Sequence, residues 1–173
     1  MSIQNLAPLL VVGESTGTIL LETVEDFRCA TASMAAQGKR CIKLFTQELD
    51  HDLYDNDLFL QAVSAACRTQ RNCTLSILLK DANKTAKFGH RLAELQKRIP
   101  SLVEIRSLPR EHQDMNNEYL IVDDIAMVKR FALGHMRGHC EFRSIPDAVK
   151  FGRQFSEIWE KSLPCQELRR LSI

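Results

Sequence analysis

Several features are missing from this 173-residue sequence, and each absence removes a class of protein. There is no clear excess of either charge: 23 Lys and Arg face 22 Asp and Glu, for a formal net charge of +1. A chain that wraps nucleic acid usually carries a basic surplus, so broad backbone binding is not favoured and only a local basic patch stays open. None of the six cysteines (Cys29, Cys41, Cys67, Cys73, Cys140, Cys165) belongs to a CxxC pair or a repeated spacing. They are expected to pack as small hydrophobes in a reducing compartment rather than as a disulfide framework. No segment approaches the ~20 apolar residues that a membrane helix needs. The apolar stretch Leu6–Gly13 is short and lacks a basic flank, so it is not a secretory leader, and a cytoplasmic location is the default expectation. No low-complexity stretch or linker interrupts the chain.

What is present is ordinary globular composition, 45% hydrophobic and 26% charged, in a chain long enough for one continuous core. A single domain over 1–173 is expected, with its core at about 18–163 and a tail at 164–173 that is loose, or alternatively a docking segment carrying Leu168, Leu171 and Arg169-Arg170. Thr18–Leu21 has the pattern of a short strand. Thr23 with Asp26 three residues on marks a helix start, and Phe27, Ala30 and Met34 share its face until Gly38. Cys41–Phe45 is a strand and Gln47–Asp57 a polar loop. Asp57 caps a helix over 58–69, and Thr74–Leu79 is apolar enough to be buried on both faces. A helix over about 84–98, with Phe88, Leu92 and Leu95 inward, stops at Pro100. Leu102–Arg106 is a strand. Tyr119–Val122 and Ile125–Val128 flank Asp123-Asp124 as a tight hairpin. A last helix follows Pro146, with Val149, Phe151, Phe155, Ile158 and Trp159 toward the core. This order predicts an α/β fold: a mixed, mostly parallel sheet with helices on both faces.

Three segments have residue types suited to chemistry. Asn116, Glu118 and Asp123 bracket the strand Tyr119–Val122 in a polar–x–polar–strand–acid frame that contains no nucleophile. Lys84, His90 and Arg91 follow the buried strand 74–79, where the carboxyl ends of parallel strands collect ligands and helix N-termini favour anions. They are therefore candidates to cradle a phosphate or carboxylate, alongside the plainer reading of a helix with one packed histidine. His135, His139, Cys140 and Glu141 invite a zinc reading, but Gly134 and Gly138 argue against the helix that such spacing would use, and no metal is expected. His112 in the loop before Asn116 is a candidate displaced base, or simply solvated.

The frame at 116–123 resembles the phospholipase-D superfamily motif, His-x-Lys followed four residues later by Asp, with Asn116, Glu118 and Asp123 on its three positions. Glu141 and Phe155-x-x-x-Trp159 sit where that superfamily keeps later elements. Leu53-Tyr54-Asp55, Gly89-His90-Arg91-Leu92 and Val103-Glu104-Ile105-Arg106 are similar to an uncharacterised bacterial family of phospholipase-D-like proteins. The resemblance spans about 20–162. It implies a phospholipase-D-like fold in one half-unit, paired in a twofold homodimer with active-site faces together. It also implies that a nucleophilic histidine and a phosphate-clamping lysine belong at 116 and 118. Asparagine cannot attack phosphorus, and a carboxylate at 118 repels phosphate. The expectation is therefore a catalytically silent domain that binds an anionic, phosphate-bearing ligand through Lys84, His90, Arg91, Asn116, Glu118 and Asp123, or binds a protein partner, without cofactor. The alternative is a phosphoester hydrolase with relocated residues, drawing His90 or His112, Glu118 and Asp123 together, with or without a metal.

Overall fold

A computed structural model describes residues 2–69, 72–132 and 134–169. Eight strands form one sheet in the order β1-β7-β6-β5-β2-β3-β4-β8. They are β1 (Ile19–Leu21), β2 (Cys41–Thr46), β3 (Thr74–Leu79), β4 (Val103–Ser107), β5 (Glu118–Val122), β6 (Ala126–Arg130), β7 (Gly138–Glu141) and β8 (Leu163–Pro164). The helices are α1 (Ile3–Leu6), α2 (Val24–Ala36), α3 (His51–Tyr54), α4 (Asp57–Thr69), α5 (Asn83–Phe88), α6 (Arg91–Arg98), α7 (Ile145–Lys161) and α8 (Gln166–Arg169).

The fold is α/β with a mixed sheet, and the parallel part is confined to β2, β3 and β4. These strands are joined by helical crossovers and have the apolar runs expected of doubly covered strands. β5, β6 and β7 continue the sheet as an antiparallel meander, and β5 pairs antiparallel with β2. Antiparallel pairings thus make up more of the sheet than the predicted mostly parallel arrangement.

Both faces are covered. On one, Phe27, Ala30 and Met34 of α2, Phe59 and Val63 of α4 and Leu92 and Leu95 of α6 pack on Ile42, Leu44, Leu75, Ile77 and Ile105. On the other, Phe155 and Ile158 of α7 close over Phe45, Leu78, Tyr119, Ile121 and Met127. Thr23 and Asp26 form the expected reciprocal cap on α2. For α4 the capping side chain is Asn56, whose Oδ1 accepts from the Phe59 N–H at 3.0 Å, rather than Asp57.

Two segments differ from the sequence expectation for identifiable reasons. The helix expected over 84–98 is split at Gly89, which sits at φ 74, so α5 and α6 have separate axes and Phe88 is 68% exposed instead of buried. Residues after α7 dock: β8 pairs with β4, and Cys165 and Leu168 are buried. Arg170 and Leu171 lie outside the described residues.

The expected hairpin turn is formed with Asp123 and Asp124 both at positive φ, 56° and 55°. At β7, Gly138 sits where any Cβ would overlap the Lys129 carbonyl oxygen and come within 2.8 Å of the Phe27 ring. Gly138→Ala is therefore expected to destabilise the protein by about 2–3 kcal/mol, seen as a lower urea midpoint with unchanged slope. A midpoint equal to wild type would contradict this packing.

Candidate functional site

The carboxyl ends of β2, β3 and β4 share one sheet edge with the start of β5 and the end of β6. Lys80 N–H donates to Thr46 O (3.1 Å) and Leu108 N–H to Leu79 O (2.9 Å), which tie the three parallel strands together at this edge. Glu118 opens β5 here, opposite Arg130 at the end of β6. Its carboxylate is 4% exposed. Oε1 accepts from Thr46 Oγ1 at 2.7 Å and from Tyr54 OH at 3.1 Å, and Oε2 accepts from the Gln47 N–H at 2.8 Å. Burial pushes the Glu118 pKa up to about 7, against the downward pull of these donors and of nearby Arg130. Tyr54 is pushed well above its usual value by burial and by the Glu118 charge. Arg130 is itself buried, giving Nε–H to His135 O (2.9 Å) and facing Asp50 at 3.4 Å.

Above this carboxylate lies the loop that carries the other motif residues. Gln47 Nε2 donates to Asn117 O at 2.7 Å, while Lys80 Nζ donates to Met115 O at 3.2 Å and to Asn116 Oδ1 at 2.9 Å. Asn116 is exposed at the lip, its amide oxygen held by a lysine. Asn116 and Glu118 are thus brought to one edge, as the motif frame implies.

Asp123 is not. β5 runs away from that edge, so its five residues at ~3.3 Å each put about 16 Å between Glu118 and Asp123. Asp123 is buried at the opposite edge, where its carboxylate accepts the N–H groups of Lys39 (2.9 Å), Arg40 (2.7 Å) and Cys41 (3.0 Å), and its carbonyl accepts from Arg40 Nη2 (2.7 Å). It clamps the entry to β2. The neighbouring Asp124 pairs with Lys43 at 2.8 Å.

The second expected constellation is also dispersed among structural partners. His90 is buried at the start of α6, and its Nδ1 accepts from the Leu92 N–H at 3.1 Å. The proton therefore resides on Nε2, which has no hydrogen-bond partner among the described residues. Burial lowers its pKa to about 4, the Asp55 charge pulling the other way, so His90 is neutral at neutral pH and offers no cation to an anion. Its ring packs against that of His51, tilted by 50° with centroids 4.9 Å apart. Arg91 bonds Asp55 (2.6 Å) and Asp57 (2.7 Å), and Lys84 bonds Glu48 (2.9 Å). The relocated-residue arrangement, with His90, Glu118 and Asp123 in one pocket, is not formed. His139 lies in β7 with its ring 5.5 Å from that of Phe131, and His112 ends a short turn of helix over Arg110–His112. Among the described residues no three His, Cys, Asp or Glu side chains are grouped to hold a metal, and no helix is long and apolar enough to cross a membrane.

Thr46, Gln47 and Arg130 were not singled out from sequence, while Lys80 stood out only as the start of the Lys80-Asp81-x-x-Lys84 segment and Tyr54 only as part of a signature. The available signal was Glu118 itself, an acid abutting an unbroken apolar strand, which needs donors from elsewhere in the fold.

The fold is similar to that of solved phospholipase D family members. Nuc from Salmonella typhimurium, a phospholipase D family member, superposes with a TM-score of 0.63 at 12% identity, over 87% of this chain and 99% of that one. NucT from Helicobacter pylori gives 0.63 at 10% identity, over 87% and 100%. The archaeal chromatin protein TrmBL2, described as showing a novel mode of DNA binding, gives 0.60 at 16% identity over 94% of this chain, which spans 59% of the chromatin protein's length. No curated protein matches the sequence. Residues 23–171 match the model of a domain of unknown function (DUF7931), and the chain belongs to that family.

The likeness to TrmBL2 corrects the partners expected from the sequence, namely a second copy, a protein or a small anion, with broad nucleic-acid binding not favoured. A chromatin protein that binds DNA contains this fold. An overall charge of +1 sums the whole chain, whereas phosphate contacts need only a few exposed cations on one face.

Because Glu118 binds its proton more tightly in the folded protein (about 7) than at its ordinary value of 4.5, the stability tied to its protonated form is full below pH 4.5. That stability is lost as the pH rises through about 7. Glu118→Gln removes this dependence. The stability of wild type relative to the variant should fall by roughly 3 kcal/mol between those limits, measured by urea unfolding of both proteins at several pH values. Parallel pH profiles would contradict the burial of this carboxylate.

Proposed function

We propose that this domain is a catalytically silent phospholipase-D-like module that binds a phosphate-bearing ligand, with a nucleic-acid backbone as the ligand to try first. The observation that carries this reading is the enclosure of Glu118. The position where the superfamily motif calls for a phosphate-clamping lysine holds a carboxylate whose oxygens are taken up by Thr46, Gln47 and Tyr54. The nucleophile's position holds Asn116, which has no group able to attack phosphorus. Enzymes of this kind act through positioned charge, and here the charge is reversed and withdrawn from the surface.

Support for an anionic ligand comes from the exposed cations along the same edge. Lys84 is 61% exposed and pairs with Glu48; Arg91 is 47% exposed and pairs with Asp55, whose carbonyl it also bonds, and with the exposed Asp57. Exposed pairs such as Lys84–Glu48 and Arg91–Asp57 are worth about 0–1 kcal/mol, so a phosphate can compete for these two cations. The DNA-binding chromatin protein of the same fold favours a polyanion over an isolated phosphate.

Fluorescence anisotropy with labelled duplex DNA, single-stranded DNA and RNA across a salt series tests the reading. Binding should weaken steeply with salt, and Lys84→Ala and Arg91→Ala should each lower the slope of log K against log salt by about 1. A phosphodiester such as bis-p-nitrophenyl phosphate should not be turned over, with or without divalent metal. Turnover abolished by Glu118→Gln, or the absence of salt-dependent binding to all three nucleic acids, would overturn the proposal.

A further inference from the structure

Beyond α7 one face of the sheet lies open. Lys129 of β6 stands opposite Tyr119 of β5 on one side and His139 of β7 on the other, and His139 stands opposite Leu20 of β1. Cross-strand partners project to the same face, so the four form one row. Phe151 of α7 covers Tyr119, their ring centroids 5.3 Å apart, and there the cover ends: Leu20, on the edge strand, is 66% exposed. Phe131, two residues beyond Lys129 and so on the same side, is 56% exposed, its ring 5.5 Å from that of His139. Its N–H donates to the Arg137 carbonyl at 2.9 Å. Phe131 and Arg137 line a groove of about 210 Å³ with Leu20, Leu21 and Glu22.

The cations here differ from Lys84 and Arg91. Lys129 and Lys150 hold their ammonium groups 5.0 and 5.9 Å from the one Phe151 ring, and Arg137 is exposed beside the groove. None of these three is in an ion pair among the described residues. Of the acids nearby, Glu141 accepts from Thr18 Oγ1 at 2.6 Å, and Glu22 lines the groove. Like charges gathered without a paired acid repel one another, and a phosphate set between them relieves that repulsion. Exposed flat rings beside such cations suit a single strand, whose bases stack on rings while its phosphates meet the charges.

We propose that this open end of the sheet binds single-stranded nucleic acid, one base stacking on the Phe131 ring beside His139 and the adjoining phosphates meeting Arg137, Lys129 and Lys150. The proposal rests on the reading of the domain as a binder of nucleic-acid backbones, and it names the form of nucleic acid and a second contact surface. A duplex keeps its base faces stacked inside and offers an exposed phenyl ring only its backbone, whereas a single strand offers a free base. Any base presents such a face, so no sequence preference is expected. Phe131 also lies at the sheet edge that carries Lys84 and Arg91. Three strand spacings of ~4.8 Å separate the end of β6 from the end of β3, roughly 14 Å, so one strand can cross from one surface to the other.

The test is fluorescence anisotropy of the full chain with labelled oligothymidine and with a duplex of equal length. Phe131→Ala and Phe131→Leu should each weaken single-strand binding by about tenfold or more, Phe131→Trp should retain it, and all three should leave duplex binding within about twofold of wild type. Arg137→Ala and Lys150→Ala should each lower the single-strand salt slope by about 0.7. Photocrosslinking of wild type to an oligonucleotide carrying 5-iodouracil should map to Phe131 or His139, which decides the matter even where a variant does not fold. Single-strand binding unchanged in Phe131→Ala, an equal loss with Phe131→Trp, or crosslinks confined to the segment around Lys84 and Arg91 would each overturn this site while leaving the backbone reading in place. Wild type that binds neither nucleic acid would remove both. A wild-type dimer in sedimentation that Phe131→Ala dissociates would overturn the site in favour of a second copy of the chain.

Discussion

A carboxylate taken out of water costs several kcal/mol unless donors converge on it, and the sheet edge at the carboxyl ends of β2–β4 is organised around that cost at Glu118. Three donors from two separate segments, Thr46 and Gln47 at the end of β2 and Tyr54 on α3, meet its two oxygens. To bring Tyr54 there, α3 must lie across the sheet edge, and Asp50 caps that helix while facing Arg130. Gln47, freed to reach upward, ties down the loop through Asn117. The lip, the short helix and the ends of β5 and β6 thus share one electrostatic requirement. This makes the motif position part of the frame, with its carboxylate buried.

The same logic accounts for the short signatures that first linked the sequence to phospholipase-D-like proteins. Leu53-Tyr54-Asp55 supplies a core residue, the Glu118 donor and the Arg91 acceptor in three consecutive positions. Gly89 breaks the helix at positive φ and gives its carbonyl to His51 at 2.7 Å, His90 caps α6, and Leu92 is buried. Arg106 pairs with Glu104 and lies 4.3 Å from the Trp159 ring, fastening α7 to β4. Each signature holds elements in place, so a sequence can keep all of them whatever residues stand at 116 and 118.

How much was legible in the sequence follows from whether the cause was local. Thr23 and Asp26, the Asp123-Asp124 turn and the apolar run at 74–79 announce their structures because the forces act within a few residues. Glu118 looked like a loop acid because its donors lie some seventy residues away in sequence, at Thr46, Gln47 and Tyr54. Asp123 looked like a partner of Glu118 because they are five positions apart, yet a strand carries its ends to opposite edges of a sheet. Lys84 and Arg91 looked like free cations because their acceptors, Glu48, Asp55 and Asp57, are in a segment whose path only the fold defines. Gly89 was visible as a residue, but its positive φ and the contact of its carbonyl with His51 appear only in the fold.

The central claim is that position 118 carries an enclosed carboxylate in place of a phosphate clamp. A carbon-13 NMR titration of the Glu118 side-chain carboxyl in the folded protein addresses it most directly. An apparent pKa of about 7, as burial dictates, with no shift on adding inorganic phosphate, is the predicted result. Titration near 4.5, the ordinary value for a solvated glutamate, would contradict the account.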